Sequence, residues 1–434
     1  RREGLFRAQT SRASRGEQKN ASHTREILEL RRRKAKLLGF ADFSDFTTAD
    51  RMAKSGARAH QFIDDLRDRT AAFFENEKTA LAGFAGRELA AWDVPYYAEK
   101  QRRAAFDFDE EKLRAYFPAE TVLNGLFEIL ARLYGVRFEA LTIPTWDPAV
   151  RPYRMVDETG AALATVYLDL FPRDNKVQGA WMAPLRTATP PTTHAAVVAA
   201  NFTPPVGDTP SLLSHREVET LFHELGHLMH QCLSRVPVRR LGGTSVAWDF
   251  VELPSQIMEN WTWERPAIDL IARHYETGTP IPEELFDKLR RTRTFRAASV
   301  QMQQLGYAEV DLDLHRRFDP DAGDPVTRAR EVLQRHVTAK LPEDFSMITS
   351  FAHLFASPVG YAAGYYSYKW AEVLEADAFS RFLEEGLFSR DVGEAFRVSI
   401  LSKGDSEDPE ELYRRFRGRE PSVDALMRRQ GLIG

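Results

Sequence analysis

Cysteine is almost missing from this 434-residue chain, where Cys232 stands alone. No internal disulfide framework can form, and a chain of this size without one is expected in a reducing compartment, the cytoplasm. Long apolar runs are missing as well. No stretch approaches the roughly 18 uninterrupted apolar residues of a bilayer span, so no membrane is expected as a partner. Neither sign of charge dominates: 59 Lys and Arg against 63 Asp and Glu leave a formal net charge of -4. That balance gives no global reason to expect nucleic acid. The opening Arg1-Arg2-Glu3-Gly4-Leu5 has neither an initiator Met nor an apolar leader, as a trimmed or fragmentary chain would. There is no internal repeat and no low-complexity tract.

What is present describes a globular protein, 43% hydrophobic and 28% charged, too long for one small core. From about residue 22 to 140, apolar residues recur at three and four spacing, as in Ile27-Leu28-Glu29-Leu30 and Val122-Leu123-Asn124-Gly125-Leu126-Phe127, with breakers at Gly39, Pro95 and Pro118. The Lys and Arg run near residues 31 to 36 reads as a solvated helix face. Residues 153 to 203 change character. Ala164 to Leu170 and Ala195 to Phe202 read as strands of a small sheet. The second strand is the expected free edge. Beyond about residue 214 the pattern is helical again. The expected organisation is a helical region over 1–145, followed by 146–434 carrying the sheet, the chemistry and the C-terminal helices.

The chemistry centres on His223-Glu224-Leu225-Gly226-His227. Two histidines four apart lie about 40° apart around a helix turning about 100° per residue, so both imidazoles can reach one ion. Glu224 between them can take a proton from the attacking water. Ser214 and Glu217 predict a capping box at the start of this helix. Val218, Leu221, Phe222, Leu225, Leu228, Met229 and Cys232 form one apolar stripe. Cys232 on that stripe reads as core packing rather than as a redox group. His223, His227 and His230 fall opposite it, facing water or lining a cleft. His230 either supports the metal ligands or merely lines that cleft.

A catalytic zinc keeps one coordination position open and takes three protein ligands, of which two His and one Glu are a recurrent set. Glu252, in Trp248-Asp249-Phe250-Val251-Glu252-Leu253-Pro254-Ser255-Gln256, is the available third ligand. Glu259 returns to nearly the same face, where it either accepts a hydrogen bond from a ligand imidazole or is only a surface acid. Pro254 predicts a helix beginning within a few residues of it.

These two segments resemble the zinc and third-ligand helices of the thimet oligopeptidase and oligopeptidase A family of zinc peptidases. So do Gly360-Tyr361-Ala362-Ala363-Gly364-Tyr365-Tyr366-Ser367-Tyr368-Lys369-Trp370, Asn201-Phe202-Thr203-Pro204-Pro205 and Asp169-Leu170-Phe171-Pro172-Arg173. The resemblance extends from about residue 4 to the C-terminus. It implies a mainly α fold of the helical, neurolysin-like zincin type, with a small β-sheet beside the active-site helix and residues 1–145 forming part of a channel wall. It implies one Zn2+ per chain held by His223, His227 and Glu252, with Glu224 as general base. Tyr361 and Tyr368 are implied to face the scissile bond, with His353 nearby and Gly360 in the substrate loop. Tyr365, Tyr366 and Trp370 also fit plain core packing. The family's members extend further at the N-terminus, where helices complete the channel, and their link between the counterparts of His353 and Tyr361 is expected to be shorter and richer in glycine.

The expected function is zinc-dependent hydrolysis of peptide bonds in short peptides. The alternatives are a peptidyl-dipeptidase that releases C-terminal dipeptides, and a non-catalytic peptide-binding protein that retains a zinc site.

Overall fold

The structure, a computed structural model, describes residues 1–16, 19–106 and 110–433. By proximity the chain divides into two units, each discontinuous in sequence. One comprises Arg1–Asp107, Arg291–Trp370 and Met427–Gly434; the other comprises Phe108–Arg290 and Ala371–Leu426. The contiguous division expected near residue 145 follows the chain. This one is drawn in space, because late helices return to pack on early ones.

In the first unit the long helix Gly56–Ala85 packs along Ala297–Arg316. Ser55 caps the first of these, its side chain accepting from the Arg58 N–H, and Gly86 ends it in the left-handed conformation at φ 67°. Leu28, Val310, Leu314, Val332, Leu333 and Ile348 form a buried cluster beside them. Arg31 departs from expectation. The charge run around it is largely solvated, but Arg31 itself is 4% exposed, because its guanidinium is spent on partners inside the fold.

The second unit contains a five-stranded sheet of β1 (Val136–Ala140), β2 (Arg151–Asp157), β3 (Ala162–Asp169), β4 (Trp181–Arg186) and β5 (His194–Ala199), in the order β1-β2-β3-β5-β4. β3 and β5 run parallel, and every other pairing is antiparallel. The expected strands at 164 to 170 and 195 to 202 are β3 and β5. The edge assignment is corrected: β5 lies inside the sheet and β4 forms the edge. The apolar composition of His194–Ala199 suits burial on both faces, whereas Pro184, Leu185 and Arg186 of β4 are exposed.

β3 leads into a buried charge cluster. Asp169 accepts from Arg173 Nη1 at 2.6 Å and Nη2 at 2.8 Å, from Lys176 Nζ at 2.8 Å and from Trp146 Nε1 at 3.0 Å. Lys176 Nζ also donates to the Asp169, Phe171 and Ala200 carbonyls, tying the ends of β3 and β5 together.

Candidate metal centre

The helix His215–Cys232 starts as its sequence dictates. Ser214 accepts from the Glu217 N–H while the Glu217 carboxylate takes the Ser214 N–H, a complete capping box. Glu217 also receives the Thr203 N–H at 2.7 Å, the Thr203 hydroxyl at 2.9 Å and Arg114 Nη1 at 3.0 Å. Burial works against charge on Glu217, but these donors outweigh it and hold its pKa below the ordinary value. The Asn201–Pro205 stretch therefore serves to pin the start of this helix. The Asn201 amide extends the fastening by donating to the Val177 and Gly179 carbonyls.

The apolar stripe from Val218 to Cys232 is buried throughout, each large side chain contributing on the order of 2 kcal/mol of burial. The opposite face divides. His223 and His227 are half-buried, whereas His230 is fully buried with neither ring nitrogen partnered. His230 thus neither meets water nor lines a cleft. The helix is covered on both sides over its last turns, and burial lowers the His230 pKa to about 3, leaving a neutral core imidazole.

The helix Leu253–Glu259 begins with Pro254 in its first turn, as the ring's missing N–H allows. It packs directly on the metal helix at Gly226. Glu252, the residue capping its start, is thereby brought to both histidines. Glu252 Oε2 lies 3.4 Å from His223 Nε2 and 3.3 Å from His227 Nε2. A tetrahedral zinc with ligands at roughly 2.0–2.1 Å requires ligand atoms about 3.3–3.4 Å apart, so the residues present fit that ion. Among the described residues these three are the His, Cys, Asp and Glu group able to hold a metal. Burial opposes charge on Glu252 and His223. Their mutual attraction still wins, holding the carboxyl below and the imidazole above its ordinary range.

Two further contacts orient these candidate ligands. His223 Nδ1 lies 2.7 Å from Glu259 Oε1. A proton on Nδ1 shared with that carboxylate leaves Nε2 as the nitrogen available to a metal ion. Ser255 Oγ donates to Glu252 Oε2 at 2.9 Å, a contact absent from the sequence expectations, although a hydroxyl three residues after a candidate ligand on a helix is a usable signal. Glu224 is 5% exposed, and its Oε2 has no hydrogen-bond partner. Burial raises its pKa, with His223 and His227 pulling partly the other way, and a backbone hydrogen bond comes from Met182 of β4. The catalytic candidate is thus a carboxylate with one oxygen uncommitted, beside the edge strand.

The remaining candidates belong to the other unit. Tyr361 and Tyr368 stack there with ring centroids 5.3 Å apart, and His353 meets Tyr361 edge-on at 5.6 Å. Tyr361 and Tyr368 are half-buried and His353 is exposed, while Tyr365, Tyr366 and Trp370 are buried in the packing role considered for them. Gly360 adopts φ 51°, a conformation that L side chains rarely hold.

Among solved structures, this fold is similar to the M32 carboxypeptidase from Deinococcus radiodurans R1, with a TM-score of 0.59 at 14% identity, covering 99% of this chain and 76% of that one. The architecture is that of the helical zincin-type metallopeptidases, with the small sheet beside the metal helix. By sequence, the chain is 41% identical to Oligopeptidase A from Escherichia coli (strain K12) over 451 residues, 100% of this chain and 66% of that protein. It is 36% identical to Dipeptidyl carboxypeptidase from the same organism over 448 residues, 99% of this chain and 65% of that protein. The chain therefore spans about two thirds of the length of these relatives. Residues 1–432 match Peptidase family M3, and the chain belongs to that family.

Proposed function

We propose that this chain is the catalytic part of a zinc-dependent oligopeptidase that hydrolyses internal bonds of short peptides. One observation carries the reading: the Glu252 carboxylate lies 3.3–3.4 Å from both imidazoles, the ligand-to-ligand spacing a tetrahedral zinc needs, with a buried carboxylate beside them whose second oxygen is uncommitted. One zinc ion per chain would be held by His223, His227 and Glu252. When bound, zinc supplies Lewis acidity, polarising a peptide carbonyl and acidifying water.

Glu224 takes a proton from the attacking water and delivers it to the leaving amine. Burial raises its pKa, which makes the carboxylate a stronger base toward that water. Tyr361 and Tyr368 serve as phenol donors to the tetrahedral oxyanion, supported by the family resemblance and by their half-buried, paired placement. His353 assists beside Tyr361, and Gly360 gives the substrate loop its turn.

An extended peptide pairs with the outer edge of β4. Main-chain hydrogen bonds there give affinity without demanding one sequence, and Met182 of the same strand touches Glu224. The Dipeptidyl carboxypeptidase relative keeps a second reading in view, in which the substrate's free C-terminus is held and dipeptides are released. A binding-only role has no use for the carboxylate of Glu224. Cytoplasmic residence is proposed because the one cysteine is buried and leaves nothing to oxidise to an internal disulfide. Among the described residues, no helix is long and apolar enough to cross a membrane.

The test is hydrolysis of a quenched peptide of about ten residues, assayed with zinc, with chelator and with zinc restored. Loss under chelator and recovery with zinc is expected, with equal cleavage of C-terminally amidated and free peptides. Cleavage of the free form alone would favour the dipeptidase reading, and no turnover of either peptide with zinc bound would overturn both.

A further inference from the structure

Asp311 does not belong to any motif discussed so far. It lies on the helix Ala297–Arg316, 0% exposed. Its Oδ1 accepts the Ala363 N–H at 2.7 Å, and its Oδ2 accepts the N–H groups of Gly364 at 2.8 Å and Tyr365 at 2.9 Å. Three successive backbone donors of the glycine- and tyrosine-rich loop thus converge on one carboxylate, the arrangement of a backbone anion nest with the anion supplied by the protein itself. Ala363 has φ 49°, a left-handed conformation that a residue with a Cβ keeps only when its surroundings impose it. The carboxylate imposes it here.

The carboxylate is fastened from behind. Arg31 Nη1 lies 2.9 Å from His315 Nε2. A guanidinium only donates, so Nε2 is the acceptor and the His315 proton sits on Nδ1. Nδ1 in turn lies 2.9 Å from both Oδ1 and the carbonyl oxygen of Asp311. Burial pulls the Arg31 pKa down to about 10, and Asp311 is the charge that supports it. The other arm of Arg31, Nη2, donates to the Ser357 carbonyl at 2.8 Å. Arg51 approaches the far side of the loop, its Nη1 3.4 Å from the Ala363 carbonyl and where a Cβ on Gly364 would fall. Both ends of the 357–365 segment are therefore tied to one buried chain of charges, while Ser357 and Pro358 stay exposed.

We propose that Asp311 is a positioning residue for the peptidase reaction: by gathering the 363–365 amides it sets where the Tyr361 and Tyr368 hydroxyls stand. This rests on the reading of those tyrosines as donors to the reacting carbonyl. A carboxylate with three backbone donors, a histidine and a charge-balancing arginine is a costly thing to bury for packing alone, and its effect falls on the loop that carries both phenols.

The test is Asp311→Asn, which keeps size and shape but turns one acceptor into a donor facing a backbone N–H. With zinc content unchanged, kcat should fall about 10- to 100-fold, as expected for a displacement of about 1 Å, with KM altered far less. Amide exchange at 363–365 should accelerate while exchange in the helix His215–Cys232 does not. Combining Asp311→Asn with Tyr361→Phe or Tyr368→Phe should add little to the loss, because the substitutions act through the same hydroxyls. His315→Asn leaves the Asp311 carboxylate and its three backbone donors in place, keeps a donor toward Asp311 but shortens the reach to Arg31, and should shift kcat and exchange the same way by a few-fold. Unchanged kcat and loop exchange, or fully multiplicative losses in the double variants, overturns the proposal while leaving the tyrosine reading intact. Full kcat in both Tyr→Phe variants overturns the tyrosine reading, and the proposal falls with it.

Discussion

Gly226 and Pro254 stand so close that a Cβ on Gly226 would lie 2.2 Å from the Pro254 carbonyl oxygen, with Ser255 Cα at 2.6 Å. Both obstacles are backbone and cannot swing aside. Glu252 sits just before that contact, so the absence of one methyl group lets its carboxylate reach both histidines. Gly226→Ala should therefore separate the two helices. A stability loss of about 1–3 kcal/mol is expected from overpacking, together with a zinc affinity lowered about tenfold or more. Thermal unfolding and competition against a zinc chelator check this; wild-type zinc affinity in the variant would refute the idea that this contact sets the site.

Glu224→Gln preserves the volume of the side chain and removes its basicity. We expect kcat to fall by about 10²- to 10⁴-fold, with zinc still bound at one per chain by metal analysis. Activity within a few-fold of wild type in the zinc-loaded variant would exclude Glu224 as the base.

Glu259 holds His223 through Nδ1 at 2.7 Å. Its removal in Glu259→Ala should lower zinc affinity or activity by about 10- to 100-fold, and Glu259→Gln, which keeps an acceptor, should cost less. Zinc-induced stabilisation against heat reads the effect directly, since stabilisation grows with ligand concentration relative to Kd. Equal zinc-induced shifts in wild type and Glu259→Ala would show that the contact is incidental.

Acid should expose the Asp169 cluster. Burial alone would raise this carboxyl, but Arg173, Lys176 and Trp146 together hold it down at about 2, against roughly 3.9 in an unfolded chain. A depressed folded pKa contributes stability above the unfolded value, and that contribution disappears as pH falls from about 4 to 2. With Arg173 partly solvated, the contribution at neutral pH is about 1–2 kcal/mol. Asp169→Asn should melt below wild type at pH 7, the two converging near pH 2. A constant gap across that range would place the stabilisation elsewhere.

Much of the site could be read along the chain because its local rules are local. The capping box at Ser214, the stripe behind the histidines and the proline start at Pro254 each depend on neighbours within a turn or two. β4 is harder to read: Pro184 breaks its strand pattern, which leaves the more apolar β5 as the visible strand although it lies between two partners. Arg31 misleads for the opposite reason. It sits in a charge run whose other members are largely solvated, and only its contacts with His315 and Ser357 reveal that it points inward.

Sequence alone determined the candidate ligand types, their pairing on one helix and the candidate base, because side-chain chemistry and helical periodicity are properties of short segments. Tertiary structure decided which histidine is a ligand candidate and which is core, how near Glu252 comes, and what Asp311 holds. Those depend on where separate segments meet, and a lone buried acid such as Asp311 leaves no periodic mark on the residues around it.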